Sequence, residues 1–168
     1  LIYGCGVILG VDPMEVLRIL SSLQPVNGRF ETLRSPKGWT VIIDYAHTPD
    51  AVEKVLQTIN DIIHTNIHKQ SEPVQIITVV GSSGNRDKGK RPMMARIAYD
   101  LSTHLILTSD NPRHENPMDI LHDMAAGLTD EEQKRTLILE DRASAIKTAC
   151  MIARSGDVVL VAGKGHED

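Results

Sequence analysis

The sequence predicts an α/β fold with a Rossmann-like, doubly wound and mostly parallel sheet of about five to six strands. Five short runs rich in valine and isoleucine are apolar throughout instead of alternating, which is typical of strands buried on both faces. Segments with the apolar period of helices separate these runs. Because strands that alternate with helices are joined by right-handed crossovers, we expect the strands to run parallel. The length of 168 residues is that of one domain with a real core.

The predicted strands and helices alternate along most of the chain. The strands cover residues 40–44, 74–81, 104–109, 136–140 and 157–163. The helices between them cover residues 49–64, 91–101, 117–128 and 142–154. Two of these helices begin with an N-cap residue followed by proline, at Thr48 and at Asn116. Asp141 is the candidate N-cap of the last helix.

Residues 1–27 do not follow this alternation. Residues 12–23 are predicted to form a helix, with Asp12 as its N-cap and Pro13 at its first position. The Gln-Pro-Val-Asn-Gly segment that follows, residues 24–28, is a loop and a candidate domain boundary. The chain begins at Leu1, and we expect it to be part of a longer protein.

Composition and charge exclude several classes of function. The net charge of −4, from 18 basic and 22 acidic residues, gives no electrostatic footprint for binding nucleic acid. No apolar run approaches the ~20 residues of a membrane span, and no secretory signal is visible. Cys5 and Cys150 are far apart, and His64 and His68 have no third ligand, so we predict no metal site. We expect a cytoplasmic protein that binds neither nucleic acid nor membrane.

Polar segments rich in Gly, Arg and Asp follow four of the five predicted strands directly. They cover residues 44–50, 81–92, 110–113 and 163–168. Since the carboxyl ends of parallel strands meet at one edge of a sheet, these segments predict a shared ligand site. The alternative is that loops after strands are polar whether or not they bind anything.

A Gly-x4-Gly-Lys motif at residues 84–90 imitates a phosphate-binding P-loop. We reject this interpretation because Arg91 stands where Ser or Thr would ligate magnesium, and Pro92 removes an amide. What remains is a Gly-Ser turn at a helix N-terminus with four basic residues that suit an anionic group, Arg86, Lys88, Lys90 and Arg91. The alternative is a solvated basic start of a helix.

The Asp-Asn-Pro-Arg segment at residues 110–113 suits an amino-acid ligand. Pro112 stiffens the turn, and Arg113 can clamp a carboxylate through two parallel hydrogen bonds. Asp110 and Asn111 can accept hydrogen bonds from an ammonium group. The alternative is an Asx-Pro turn that carries an exposed arginine.

Six motifs, in order and with matching spacing from residue 28 to the end, resemble the C-terminal domain of the Mur ligases. They lie at residues 28–31, 44–50, 85–92, 108–113, 141–146 and 162–168. The chain is most similar to the branch of UDP-N-acetylmuramoyl-tripeptide synthetases, which add meso-diaminopimelate to the peptidoglycan stem peptide. It departs from that branch at residues 81–85, where Gly-Ser-Ser-Gly-Asn replaces the common Gly-Cys-Gly-Gly-Asp.

The resemblance implies an ATP-dependent ligase that forms an amide bond. ATP phosphorylates the terminal carboxylate of UDP-MurNAc-L-Ala-D-Glu, and the amine of the incoming amino acid attacks the acyl phosphate. The complete Asp-Asn-Pro-Arg sequence marks enzymes that select meso-diaminopimelate, whose additional carboxylate an arginine can bind. A lysine-adding or polyglutamate-type sister ligase and a non-catalytic α/β module that binds an amino acid or a nucleotide are the alternatives.

The resemblance also implies site residues. The residues expected to contact meso-diaminopimelate are Arg86, Asp110, Asn111, Pro112, Arg113, Gly163 and Glu167. Arg86 and Arg113 are expected on carboxylates, Glu167 on the distal ammonium, and Gly163 through its backbone. The residues expected to face ATP are Arg29, Asp44 and His47. No catalytic residue is assigned.

The resemblance divides the chain into two parts. Residues 1–27 are expected to be the tail helix and linker of a central ATPase domain, and residues 28–168 the amino-acid-binding domain. The UDP-binding domain and the central P-loop domain, which would bind most of the ATP and Mg²⁺, are absent from this sequence. We expect the chain alone to be an inactive, monomeric part of a bacterial cytoplasmic enzyme.

Overall fold

A six-stranded sheet organises the computed structural model, which describes residues 2–22, 28–66 and 73–164. The strands are β1 (Glu31–Arg34), β2 (Thr40–Asp44), β3 (Ile76–Val80), β4 (His104–Thr108), β5 (Leu137–Leu139) and β6 (Val158–Ala162). The helices are α1 (Ile2–Ile8), α2 (Pro13–Ser22), α3 (Pro49–Asn66), α4 (Lys90–Asp100), α5 (Pro117–Ala125), α6 (Asp130–Arg135) and α7 (Arg142–Ile152). This is the predicted α/β fold.

The order of the strands in the sheet is β1-β2-β6-β3-β4-β5. β1 pairs with β2 in the antiparallel direction, and the other pairs are parallel. The chain winds outward from β3 to β4 and β5, then crosses back to place β6 between β3 and β2. The direction of winding therefore reverses after β5, and the carboxyl ends of β2, β3, β4 and β6 lie at one edge of the sheet.

Both faces of the central strands are covered, as their continuous apolar sequences predict. All five residues of β3 are buried. Ile76 and Val80 join a core with residues of α3, α4 and α5, whereas Ile77 and Val79 join a second core with α7. The sheet is thus the middle layer of a three-layer sandwich.

The predicted helix starts are confirmed. Thr48 Oγ1 accepts a hydrogen bond from the Ala51 amide at 3.3 Å, and Asn116 Oδ1 accepts one from the Met118 amide at 2.8 Å. Asp141 caps α7 by accepting from the Ser144 amide at 2.8 Å. These side chains satisfy amides that the first turn of a helix leaves without partners.

The structure differs from the prediction at residues 117–128, which do not form one helix. α5 ends at Ala125, and Gly127 beyond it lies so close to the Pro92 carbonyl that a side chain there would overlap it. Thr129 then begins α6 with a capping box closed by Glu132. The structure also contains β1, α1 and α6, which the sequence pattern does not predict.

The predicted N-terminal helix is observed as α2, preceded by the additional helix α1. The only buried side chain of α2 is Val16, which packs against Gly6 of α1. α1 has no buried residue. Among the described helices, none is long and apolar enough to span a membrane. Residues 24–27 of the predicted boundary loop lie outside the described residues.

Candidate functional site

An open cleft of about 470 Å³ lies at the carboxyl edge of the sheet, where the segments that follow β2, β3, β4 and β6 meet. It is lined by Tyr45, His47, Thr48, Ser82, Ser83, Arg86, Asp87, Lys90, Met94, Asp110, Asn111, Arg113 and Gly163. The structure therefore brings together six residues of the predicted site, from loops that follow four different strands. They are His47, Arg86, Asp110, Asn111, Arg113 and Gly163.

Three other predicted residues are not part of this lining. Pro112 supports the turn between two lining residues, and its carbonyl accepts from the Glu115 amide at 2.9 Å. Arg29 and Asp44 lie behind Tyr45, on the β2 side of the cleft. Glu167 lies outside the described residues.

One wall of the cleft is the loop of residues 82–90, which follows β3 and carries Arg86. Its Gly84 amide donates to the Asn111 carbonyl at 2.8 Å. A Cβ at Gly84 would overlap the Pro112 carbonyl, so only glycine allows this approach. Asn85 has a φ of 53°, a left-handed conformation that asparagine adopts more readily than most residues. Asparagine therefore suits the position where the sequence departs from the family pattern.

The opposite wall is the turn of residues 110–116, which follows β4. Asp110 Oδ2 accepts from the Ser83 hydroxyl at 2.7 Å, and Asn111 Oδ1 accepts from the Arg113 amide at 3.3 Å. Arg113 itself has a φ of 53°, which costs about 1–2 kcal/mol for a residue with a side chain. Strain of this kind persists where surrounding contacts fix the backbone, and it is common at functional sites.

A buried arginine lies beneath both walls. Arg91 is fully buried, and its guanidinium forms ion pairs with Glu115 at 2.9 Å and with Asp123 at 2.8 Å. The expectation that Arg91 belongs to a basic cluster open to an anion is therefore wrong. Lys88 also faces Glu115, at 3.4 Å, whereas Arg86 and Lys90 line the cleft.

These contacts shift the pKa values of Glu115 and Arg91. The hydrogen bonds from Arg91 and from the Asn85 amide lower the pKa of Glu115 to about 2. The bond to Glu115 raises the pKa of Arg91, although burial opposes it. Both groups are therefore charged at neutral pH.

The floor of the cleft is formed where β6 ends. Gly163 has a φ of 103°, and its amide donates to the Asp44 carbonyl at 3.1 Å, so its carbonyl is the backbone group that can serve a ligand. Arg142 Nη2 donates to the Ala162 carbonyl at 3.0 Å. Burial lowers the pKa of Arg142, while the nearby Asp110 carboxylate raises it.

A cluster of charged and aromatic side chains lies on the β2 side of the cleft. The Arg29 guanidinium is 5.0 Å from the centre of the Tyr45 ring, and the His47 ring meets that ring edge-on at 4.9 Å. His47 Nδ1 lies 2.9 Å from the Tyr45 carbonyl, which can only accept, so Nδ1 carries the proton. The two Asp44 carboxylate oxygens accept from the Phe30 and Ala46 amides, each at 2.9 Å.

The arrangement suits a small zwitterion. Arg86, Lys90 and Arg113 supply positive charge to the cleft, and Asp87 and Asp110 supply negative charge. Ligand carboxylates and ammonium groups can therefore be bound within one cavity. Among the described residues, no three His, Cys, Asp or Glu side chains are grouped to hold a metal ion.

Two residues of this region, Glu115 and Arg142, were not assigned a role from the sequence, and Arg91 was assigned a wrong one. Arg91 and Glu115 join the two walls, and Arg142 underlies the floor. Arg142 lies within one of the motifs that carried the family resemblance, which was a usable signal. Nothing in the sequence around Glu115 distinguishes it from an exposed acidic residue.

Comparisons with known proteins agree with the geometry. Residues 28–165 match the family described as Mur ligase, glutamate ligase domain. A relative from Parabacteroides distasonis, named UDP-N-acetylmuramoyl-L-alanyl-D-glutamate–2,6-diaminopimelate ligase, is 58% identical over 99% of this chain and 33% of its own length. A relative of the same name from Phocaeicola vulgatus is 54% identical over the same shares.

A solved structure of a ligase with that same name superimposes with a TM-score of 0.72 at 36% identity. The match covers 98% of this chain and 32% of that one. The chain thus spans about a third of the length of the relatives that it matches.

Proposed function

The chain belongs to the Mur ligase family, and from this premise we propose that it is the C-terminal, amino-acid-binding part of an ATP-dependent ligase. The ligase adds meso-diaminopimelate to UDP-MurNAc-L-Ala-D-Glu in the synthesis of peptidoglycan precursors. The observation that carries the proposal is the single cleft that Arg86, Asp110, Asn111, Arg113 and Gly163 line together. The names of relatives more than 50% identical support the choice of amino acid.

Meso-diaminopimelate has two carboxylates and two ammonium groups, and the cleft offers partners for both kinds. Arg113 and Arg86, on opposite walls, bind the carboxylates. Asp110, Asn111 and the Gly163 carbonyl accept from ammonium groups, and Glu167 binds the distal one, while Pro112 keeps the turn rigid. Lysine lacks the distal carboxylate, so binding lysine leaves an arginine without its partner, which disfavours lysine.

ATP binds on the β2 side of the cleft and supplies the phosphoryl group that activates the carboxylate of the UDP-linked dipeptide. Arg29 and His47 are exposed there, and both can meet a phosphate oxygen. The Asp44 carboxylate already accepts two backbone amides, so it acts by holding the segment that presents Arg29. Most contacts to ATP and Mg²⁺ come from a central domain outside this chain.

Residues 1–27 belong to that central domain as its tail helix and linker. The family match begins at residue 28, and α1 buries none of its residues within the described chain. Residues 28–168 form the amino-acid-binding domain. The chain alone is therefore expected not to ligate, and ATP-dependent ligation by it would contradict this division.

The test is a calorimetric titration of the chain with meso-diaminopimelate, and with L-lysine as the competing ligand. We expect binding of meso-diaminopimelate and at least 10-fold weaker binding of lysine. Arg113→Ala should weaken binding of meso-diaminopimelate roughly 10- to 100-fold, because a charged hydrogen-bonded pair contributes about 1.5–3 kcal/mol. Arg34→Ala is the control, since Arg34 is exposed opposite Thr40, at the other edge of the sheet.

Equal binding of lysine would contradict the choice of amino acid, and an unchanged affinity in Arg113→Ala would contradict its role. If the chain binds neither ligand, the same titration of a protein of the relatives' full length, with an ATP analogue present, decides the question. ATP-dependent ligation by that longer protein separates a ligase from a non-catalytic binding module.

A further inference from the structure

Arg91 is placed to control the geometry of the cleft without touching a ligand. It is the second residue of α4, and no part of it is exposed. Nη1 donates to Glu115 Oε2 at 2.9 Å and to Asp123 Oδ2 at 2.8 Å, and Nη2 donates to Glu115 Oε1 at 2.9 Å. Nη2 also reaches the Ser83 carbonyl at 3.4 Å. One guanidinium therefore contacts the 82–90 loop, the 110–116 turn and α5.

Glu115 extends these contacts to the neighbours of both cleft arginines. Its Oε1 accepts from the Asn85 amide at 2.5 Å, one residue before Arg86. Glu115 itself lies two residues after Arg113. A third link is the His114 amide, which donates to Asn85 Oδ1 at 3.1 Å. Contacts that meet at the carboxylate of Glu115 thus help to set the separation of Arg86 from Arg113, beside the direct Gly84–Asn111 and Asn85–His114 hydrogen bonds between the walls.

We propose that Arg91 is a positioning residue of the cleft, which fixes through Glu115 the spacing of Arg86 and Arg113 and so the spacing of ligand carboxylates that the cleft accepts. The nature of the ligand rests on the proposed function, whereas the coupling of the two walls does not. The proposal explains why two residues with left-handed backbone, Asn85 and Arg113, are held next to Glu115.

If Arg91 only stabilised the fold, its contacts with both walls would be explained less well. Removing an arginine from water is costly, and buried ion pairs are often replaceable by apolar residues without loss of stability. The planar fork of arginine, in contrast, holds three acceptors at fixed angles, which lysine cannot do. The geometry therefore requires Arg91 specifically, not merely a positive charge.

The test compares Arg91→Lys with the matched control Arg96→Lys. Arg96 lies on the same helix and pairs with two carboxylates, Asp100 and Glu132, but it contacts neither wall of the cleft. The measurements are amide hydrogen exchange, thermal unfolding, and titration of the chain with meso-diaminopimelate and L-lysine.

In Arg91→Lys, exchange of the Gly84, Asn85 and His114 amides should accelerate at least 10-fold relative to that in Arg96→Lys. Exchange of the β3 and β4 amides should accelerate only as much as the loss of global stability accounts for. Affinity for meso-diaminopimelate should fall at least 10-fold, and its ratio to the affinity for lysine should shrink. Arg96→Lys should keep both the affinity and the ratio.

Two results would overturn the proposal. The first is faster exchange spread evenly over the sheet and the loops, with affinity per folded molecule unchanged, which would leave Arg91 a stabilising residue only. The second is unchanged exchange of the three loop amides. If the unaltered chain binds no meso-diaminopimelate but Arg91→Lys loosens those amides selectively, the coupling of the walls holds and the ligand assignment fails.

Discussion

At Gly84 the backbones of the two walls of the cleft come into direct contact. Its amide donates to the Asn111 carbonyl at 2.8 Å, and its Cα faces the Pro112 carbonyl without room for a Cβ. Asn85, directly after it, takes a left-handed conformation that aims its side chain at the His114 amide. A residue without a side chain thus allows the contacts that orient two arginines.

Gly84→Ala should destabilise the chain by about 1–3 kcal/mol, because the added methyl group must displace backbone atoms. Gly89→Ala is the matched control in the same loop, since its Cβ would meet only the Asp87 side chain at 3.2 Å. That control should change stability by no more than about 0.5 kcal/mol. Urea unfolding of both variants measures the difference, and equal losses would contradict the close approach.

The sequence could predict which residues line the cleft better than it could predict which ones support it. The family resemblance implied His47, Arg86, Asp110, Asn111 and Arg113, and each of them follows a strand that is recognisable from its apolar residues. Arg91 was assigned to an open basic cluster, because a run of basic residues does not reveal which one turns inward. Its burial depends on Glu115 and Asp123, which lie 24 and 32 residues further along the chain.

At the scale of elements, burial decided which predictions succeeded. β3 and β6 are continuous apolar runs in the centre of the sheet, and both were predicted within two residues of their ends. β1 is a four-residue edge strand without a buried residue, so its sequence, Glu-Thr-Leu-Arg, carries no apolar pattern. α6 likewise has no buried residue, and α1 contains two glycines, which disfavour helix.

The start of α5 offers a test at this scale. Asn116 ends the turn that carries Arg113 and caps the helix through the Met118 amide. Asn116→Ala should cost about 1 kcal/mol of stability, whereas Asn116→Asp keeps an acceptor and should cost less than half as much. Urea unfolding of the two variants is the measurement. An equal loss in both would mean that the amide NH₂ group of Asn116, not its oxygen, matters.

At the scale of the whole molecule, the site results from the winding of the chain. Parallel pairing of β2, β6, β3 and β4 places their carboxyl ends at one edge of the sheet, where a crevice lies. Loops after β2, β3, β4 and β6 then converge on that crevice, although they are far apart in sequence. The cleft is therefore a property of the strand order, since no single loop supplies all of its charged side chains.

Ion pairs of Arg91 and Arg96 tie α4 to the rest of the molecule, and two of them, with Glu115 and Glu132, make stability depend on pH. Arg91 and Arg96 lower the pKa values of Glu115 and Glu132 from 4.5 to about 2. In the unfolded chain these carboxylates protonate near pH 4.5, so the stabilisation is complete above that pH and is lost as the pH falls towards 2. The free energy of unfolding should therefore decline steeply between pH 4.5 and 2.

Urea unfolding across this range, on the unaltered chain and on Glu132→Gln, measures the effect. Gln does not titrate, so the variant should be less stable at pH 7 but should lose less stability in acid. Glu131→Gln is the control, because Glu131 is the exposed neighbour that pairs only across one turn, with Lys134 at 3.0 Å. If Glu132→Gln keeps the full acid dependence of the unaltered chain, the Arg96 pair does not anchor α6 to α4. The acid sensitivity would then have to come from carboxylates elsewhere in the molecule.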